Sequence, residues 1–132
     1  MKNNYLLAIV VGIIVLVANQ VLSVLLNVAL PSLNAEYAAS TAFRAWSDPL
    51  MNLIFLYPIL TGVLATYLWL RTRKSWKSGA DFGVAVGLFV AVPTFIVYYS
   101  NFLVSPVMVL SWALFAFVNV LVAGLALEKL EG

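Results

Sequence analysis

Tyr5 to Leu30 reads YLLAIVVGIIVLVANQVLSVLLNVAL, a stretch of 26 residues without a single charge. The hydrocarbon core of a bilayer is about 30 Å thick, and a helix rising about 1.5 Å per residue needs about 20 apolar residues to cross it. The stretch therefore predicts a transmembrane helix. Three more runs of the same character follow, at about 49–70, 82–100 and 106–127. They leave no room in 132 residues for a soluble domain, so residues 1–132 are expected to form one transmembrane domain. A composition 64% hydrophobic and 9% charged, with a mean hydropathy of +1.06, lies outside the range of water-soluble domains. The fold class that follows is an all-α integral membrane protein, a bundle of four transmembrane helices.

Lys2 followed by an apolar run has the look of a signal peptide. The run, however, continues to Leu30 with no convincing small-x-small cleavage site, so it is read as an uncleaved span.

Between the second and third runs, residues 71–81 read RTRKSWKSGAD, and Arg71, Arg73, Lys74 and Lys77 form the one basic cluster of the chain. The positive-inside rule makes this loop cytoplasmic. Both termini then lie in the cytoplasm too, and Arg44 is the only one of seven Lys and Arg residues on the outer side. Anionic lipid head groups are the expected partners of Arg71, Arg73, Lys74 and Lys77. A net charge of +2 is too small to point to nucleic acid.

The outer connection, residues 31–48, alternates apolar and polar residues around Tyr37 and Trp46, which fits an interfacial helix. Asp48 and Pro49 are a cap and a first helical residue for the second span. Ser78 and Asp81 have capping-box spacing before the third. VGIIVLV at 11–17 and VGLFVAV at 86–92 agree in four of seven columns, and Pro-x-Met-x-Leu opens both the second and fourth spans. A tandem two-helix repeat would produce both matches.

The first span carries Asn19, Gln20, Ser23 and Asn27. At 3.6 residues per turn Asn19, Ser23 and Asn27 share a face, with Gln20 beside it. An amide exposed to hydrocarbon costs several kcal/mol, so this stripe is expected to turn inward. Asn52, Tyr57, Tyr98 and Tyr99 should lie at the same outer level, and together these eight residues are candidate ligand-binding groups. Their alternative role is to bond one another as glue between helices. Asn119, assigned to the inner half of the fourth span, is expected to make a separate interhelical contact. Gly79, Gly83, Gly87 and Ala91, spaced four apart, form a small-residue stripe expected to pack against another helix. Pro58 and Pro93 interrupt the second and third spans, with Thr94 placed to satisfy a carbonyl that Pro93 frees.

The chain contains no cysteine and no histidine, and none of its five acidic residues lies inside a predicted span: Glu36 and Asp48 are outside, Asp81 is at a boundary, and Glu128 and Glu131 are read as tail. Thiolate chemistry, the commonest metal ligand and the commonest neutral-pH base are thereby excluded, and no catalytic residue, metal site or cofactor is expected. Small multidrug carriers are similar in size and span count, but depend on a first-span glutamate that is absent here. The span pattern otherwise resembles that of many small four-span proteins of prokaryotes, which implies a prokaryotic cytoplasmic membrane and no particular activity. The expectation is a non-catalytic membrane protein, a subunit of a larger complex or a homo-oligomer. The alternative is a binding or transport protein for a small neutral or amphipathic molecule or a lipid.

Overall fold

In the computed structural model, which describes residues 2–131, five α-helices follow one another. They are α1 (Asn4–Ala29), α2 (Pro31–Ala39), α3 (Leu53–Thr72), α4 (Gly79–Asn101) and α5 (Pro106–Glu131). Single 3-10 turns, Pro49–Asn52 and Arg73–Ser75, extend α3 at its two ends. Four of these helices are long and apolar enough to cross a membrane, and the protein is a four-helix membrane bundle. The spans run down and back, so both described ends of the chain and the basic loop share one end of the bundle. Helix α2 lies at the other.

Local chemistry sets the boundaries. Asn3 caps α1 by accepting from the N–H groups of Tyr5 and Leu6. Asp48 accepts from Leu50 N–H ahead of α3, with Pro49 at the first position, where its missing N–H costs nothing. Ser78 accepts from Asp81 N–H, and the Asp81 carboxylate reaches back to Lys77 N–H, one residue beyond the Ser78 N–H of a strict capping box. Helix α2 ends at Ala39, well before Trp46, and the chain is irregular from there to Asp48.

Two expected boundaries move. Helix α4 begins at Gly79 rather than 82, and α5 continues past 127 to Glu131, so Glu128 and Glu131 belong to a helix and not to a tail. The reason lies in their partners. Glu128 accepts from Gly79 N–H at the start of α4, at 2.8 Å, while Glu131 accepts from Trp69 Nε1 and pairs with Arg73 at the end of α3. Two carboxylates thus tie the last turn of α5 to the ends of its neighbours.

Helix α5 is the central element. Half of its most apolar stretch is buried, against 22% in α1 and α4 and 28% in α3. Helices α1, α3 and α5 pack mutually, whereas α4 packs chiefly on α5. Glycines allow both main crossings. A Cβ at Gly62 would stand 2.6 Å from Gly12 Cα, so α1 and α3 touch backbone to backbone. A Cβ on either Gly79 or Gly124 would run into the other's carbonyl oxygen. Such close approach is how helices gain contact in lipid, where burying apolar side chains drives little.

Packing is concentrated toward the basic end. Leu7, Val11, Val15, Ala65, Trp69, Phe82, Ala123 and Leu127 form the core, with Trp69 and Trp76 edge-on to Phe82 at 5.4 and 5.5 Å. Buried positions stop at Asn19 in α1 and Ala91 in α4, and start only at Pro58 in α3. Beyond the level of Pro58 and Pro93, α1, α3 and α4 contribute no buried residue, whereas α5 stays buried at Met108, Val109, Ser111 and Ala113. Thr94 does donate to a carbonyl, but to that of Val90 rather than to Phe89, the one Pro93 leaves without its N–H.

Candidate functional site

The polar residues of the spans separate into a buried pair, a half-buried tyrosine group and an exposed stripe. Asn119 is fully buried on α5 and donates from Nδ2 to Asn19 Oδ1 at 3.0 Å. Asn19 stands about 22 Å along α1 from the basic end and Asn119 about 18 Å along α5 from the same end, so the two are nearly level. The expected division, with Asn119 in an inner layer apart from Asn19, is wrong. Both residues sit near the middle of their helices, where an inner and an outer half cannot be told apart by counting.

Asn119 retains an acceptor, since no well-formed hydrogen bond reaches its buried Oδ1. The hydroxyl of Tyr57 on α3 lies beside this amide, and Tyr98 of α4 is near Tyr57. All four spanning helices thus contribute one polar side chain to the same region. Tyr57 and Tyr98 are both about two-fifths exposed, so the group opens sideways toward the surface of the bundle. A shallow groove of about 430 Å³ runs along α3 past Tyr57 and Thr61, and another of about 490 Å³ lies between α1 and α5.

The other candidates are placed differently. Ser23 is half-buried, but Gln20 and Asn27 are exposed on α1, so the polar stripe turns inward only at Asn19. Burial of α1 centres on Val15 and Asn19, which leaves Gln20 and Asn27 to one side. Asn52 is exposed at the start of α3. Tyr99 stacks on Phe95 at 5.6 Å and is half-exposed, away from Tyr57. Gly83 and Gly87 face Leu121 and Phe117 of α5, and Ala91 is buried on the same side of α4.

At the end of the bundle that carries α2, Trp112 is ringed by Tyr98, Phe102 and Phe43, and donates from Nε1 to the Tyr37 hydroxyl. Burial pushes the Tyr37 hydroxyl's pKa up, against the pull of its bonds with Trp112 and Ser111. Next to Tyr37, Glu36 accepts from Ser105 Oγ at 2.5 Å and from Ser105 N–H at 2.9 Å. These bonds, the hydroxyl first, hold the Glu36 carboxyl below its ordinary range. Glu36 and Tyr37 clasp the start of α5, a role that no local sequence signal announces because 69 residues separate Glu36 from Ser105.

Of the basic cluster, Arg73 pairs with Glu131 and Arg71 lies over the Tyr67 ring at 4.9 Å, while Lys74 and Lys77 are exposed. Arg44 pairs with Asp48 at 2.9 Å, and the Leu50 N–H and Arg44 together lower the Asp48 pKa. Every acidic residue is thus engaged in a cap, a clasp or an ion pair.

Compared with known proteins, the chain matches no protein family, no curated protein and no solved structure.

Proposed function

We propose that this protein is a non-catalytic membrane component that works within an assembly, its partner being either another membrane chain or a second copy. One observation carries the reading: Gln20 and Asn27 stand exposed on the flank of α1. Gln20 lies about 5 Å beyond the midpoint of α1, inside the hydrocarbon layer. A lone amide facing lipid there costs several kcal/mol, a penalty that a neighbouring transmembrane helix removes. The engagement of all five acidic residues in structural bonds supports a non-catalytic role. The basic end is assigned to the cytoplasm of a prokaryotic cell, where Lys74 and Lys77 attract anionic lipid.

Native mass spectrometry of the protein, extracted gently from its own membranes, tests the assembly. A defined mass holding a second polypeptide or a second copy is expected. A bare monomer would overturn the reading.

A second reading is favoured by the open acceptor on Asn119. A lipid or other amphipathic molecule bearing a hydroxyl would pair with this buried oxygen once Tyr57 and Tyr98, both partly exposed, part to admit it from the side, with no titrating group required. A monomer that retains such a molecule in the same experiment, and loses it on Asn119→Leu substitution, would establish this reading in place of the first.

A further inference from the structure

We infer that α1 carries the seam of a parallel homodimer, formed by Ile9, Ile13, Leu16, Gln20, Ser23 and Asn27. The inference rests on the assembly reading and names its surface and its partner. These residues are spaced alternately four and three apart, the spacing by which two helices stay in contact along a left-handed supercoil. Transmembrane helices mostly cross in that sense. The seam is distinct from the face that α1 spends on α3 and α5, which centres on Val11, Gly12, Val15 and Asn19. Ile9 and Ile13 are about half exposed, Gln20 and Asn27 are exposed, and Leu16 and Ser23 are partly covered, so the whole line is open along one side of the bundle.

The occupant follows from the amides. In a heptad frame Ile13, Gln20 and Asn27 take one core position and Ile9, Leu16 and Ser23 the other, giving an apolar half toward the basic end and a polar half beyond it. Copies of one chain insert in the membrane with one orientation, so a two-fold axis along the membrane normal brings identical depths together. Gln20 then meets Gln20 and Asn27 meets Asn27. Each amide is both donor and acceptor, so identical amides satisfy each other in reciprocal pairs. Polar residues at such core positions are known to specify register and oligomer state. A different polypeptide would need its own amides at the same two depths.

The chain contains no cysteine, so single cysteines can be introduced directly into the full-length protein. Ile13→Cys and Ser23→Cys lie on the seam. Val21→Cys and Val28→Cys lie on exposed α1 surface about 100° or more round the helix. Each variant is oxidised with copper phenanthroline in native membranes and read as the disulfide-linked dimer. The expected result is a dimer band several-fold stronger from the seam positions than from Val21→Cys and Val28→Cys. Adding Gln20→Leu to Ser23→Cys should weaken it several-fold, because the reciprocal amide pair is lost and leucine is at home in lipid.

Equal or stronger bands from Val21→Cys and Val28→Cys would overturn the seam while leaving self-association in place. A cross-link from Ser23→Cys to a different polypeptide would overturn the second copy as occupant and keep the assembly. Absence of any cross-link, together with a monomer by native mass spectrometry, would overturn both.

Discussion

Asn119 donates to Asn19 across 3.0 Å and joins α5, the central helix, to α1 in the middle of the membrane. Removing either partner strands the other in a dry setting, at a cost of about 1–3 kcal/mol. The bond itself returns less, about 0.6 kcal/mol on average between transmembrane helices. A double-mutant cycle of Asn19→Ala, Asn119→Ala and both, read by unfolding in detergent, should therefore show the double variant destabilised by clearly less than the sum of the two single ones, because removing both partners relieves the stranding that each single change leaves. Additive single effects would mean that each amide finds another partner when its own is removed.

Gly124→Ala should destabilise the bundle by about 1–3 kcal/mol, because the new methyl meets the Gly79 carbonyl and neither backbone can yield without moving a helix. Gly87→Ala faces chiefly the Phe117 ring, nearest atom 2.9 Å away, which can turn aside. Its cost should stay below about 1 kcal/mol. Unfolding midpoints of the two variants, measured in the same detergent, decide whether the glycine stripe is held by backbone contact or by side chains.

Glu36 predicts a pH dependence at the α2 end. Its pKa is lowered in the folded protein from the ordinary 4.5 by the Ser105 hydroxyl and N–H, so its contribution to stability is fully present above the ordinary value. That contribution is lost as the pH falls through the lowered folded value. Glu36→Gln should melt below the unaltered protein at pH 7, with the gap closing in strong acid. A gap independent of pH would show that the charge is not what holds Ser105.

Glu128 is exposed yet holds the first N–H of α4. Hydrogen exchange of the Gly79 amide should speed up in Glu128→Ala and remain largely protected in Glu128→Gln, which keeps an acceptor at that position. Equal exchange in all three proteins would place the protection elsewhere.

The spans and their caps were legible in the sequence because their causes are local. An unbroken apolar run needs no partner to choose a helix in a bilayer, where every backbone group must bond within its own segment. Asp48 with Pro49, and Ser78 with Asp81, act within four residues of themselves. The small-residue stripe from Gly79 was visible for the same reason, although its counterpart Gly124 was not. The clasp of Glu36 on Ser105 and the bonds of Glu128 and Glu131 join distant segments, and nothing in the neighbourhood of those acids distinguishes them from loop or tail residues.

By itself, then, the sequence determined an integral membrane protein of four helices, their approximate ends, and the presence of amides that hydrocarbon does not tolerate unpaired. Which amide found a partner was decided only by the tertiary structure. Lipid is as apolar as the side chains it surrounds, so hydrophobicity does not select the inward face of a membrane helix. That selection falls to backbone approach at Gly12, Gly62, Gly79 and Gly124, which sets the rotation of each helix. The rotation it sets buries Asn19 against Asn119 and leaves Gln20 and Asn27, only one and eight residues farther along, on the outside.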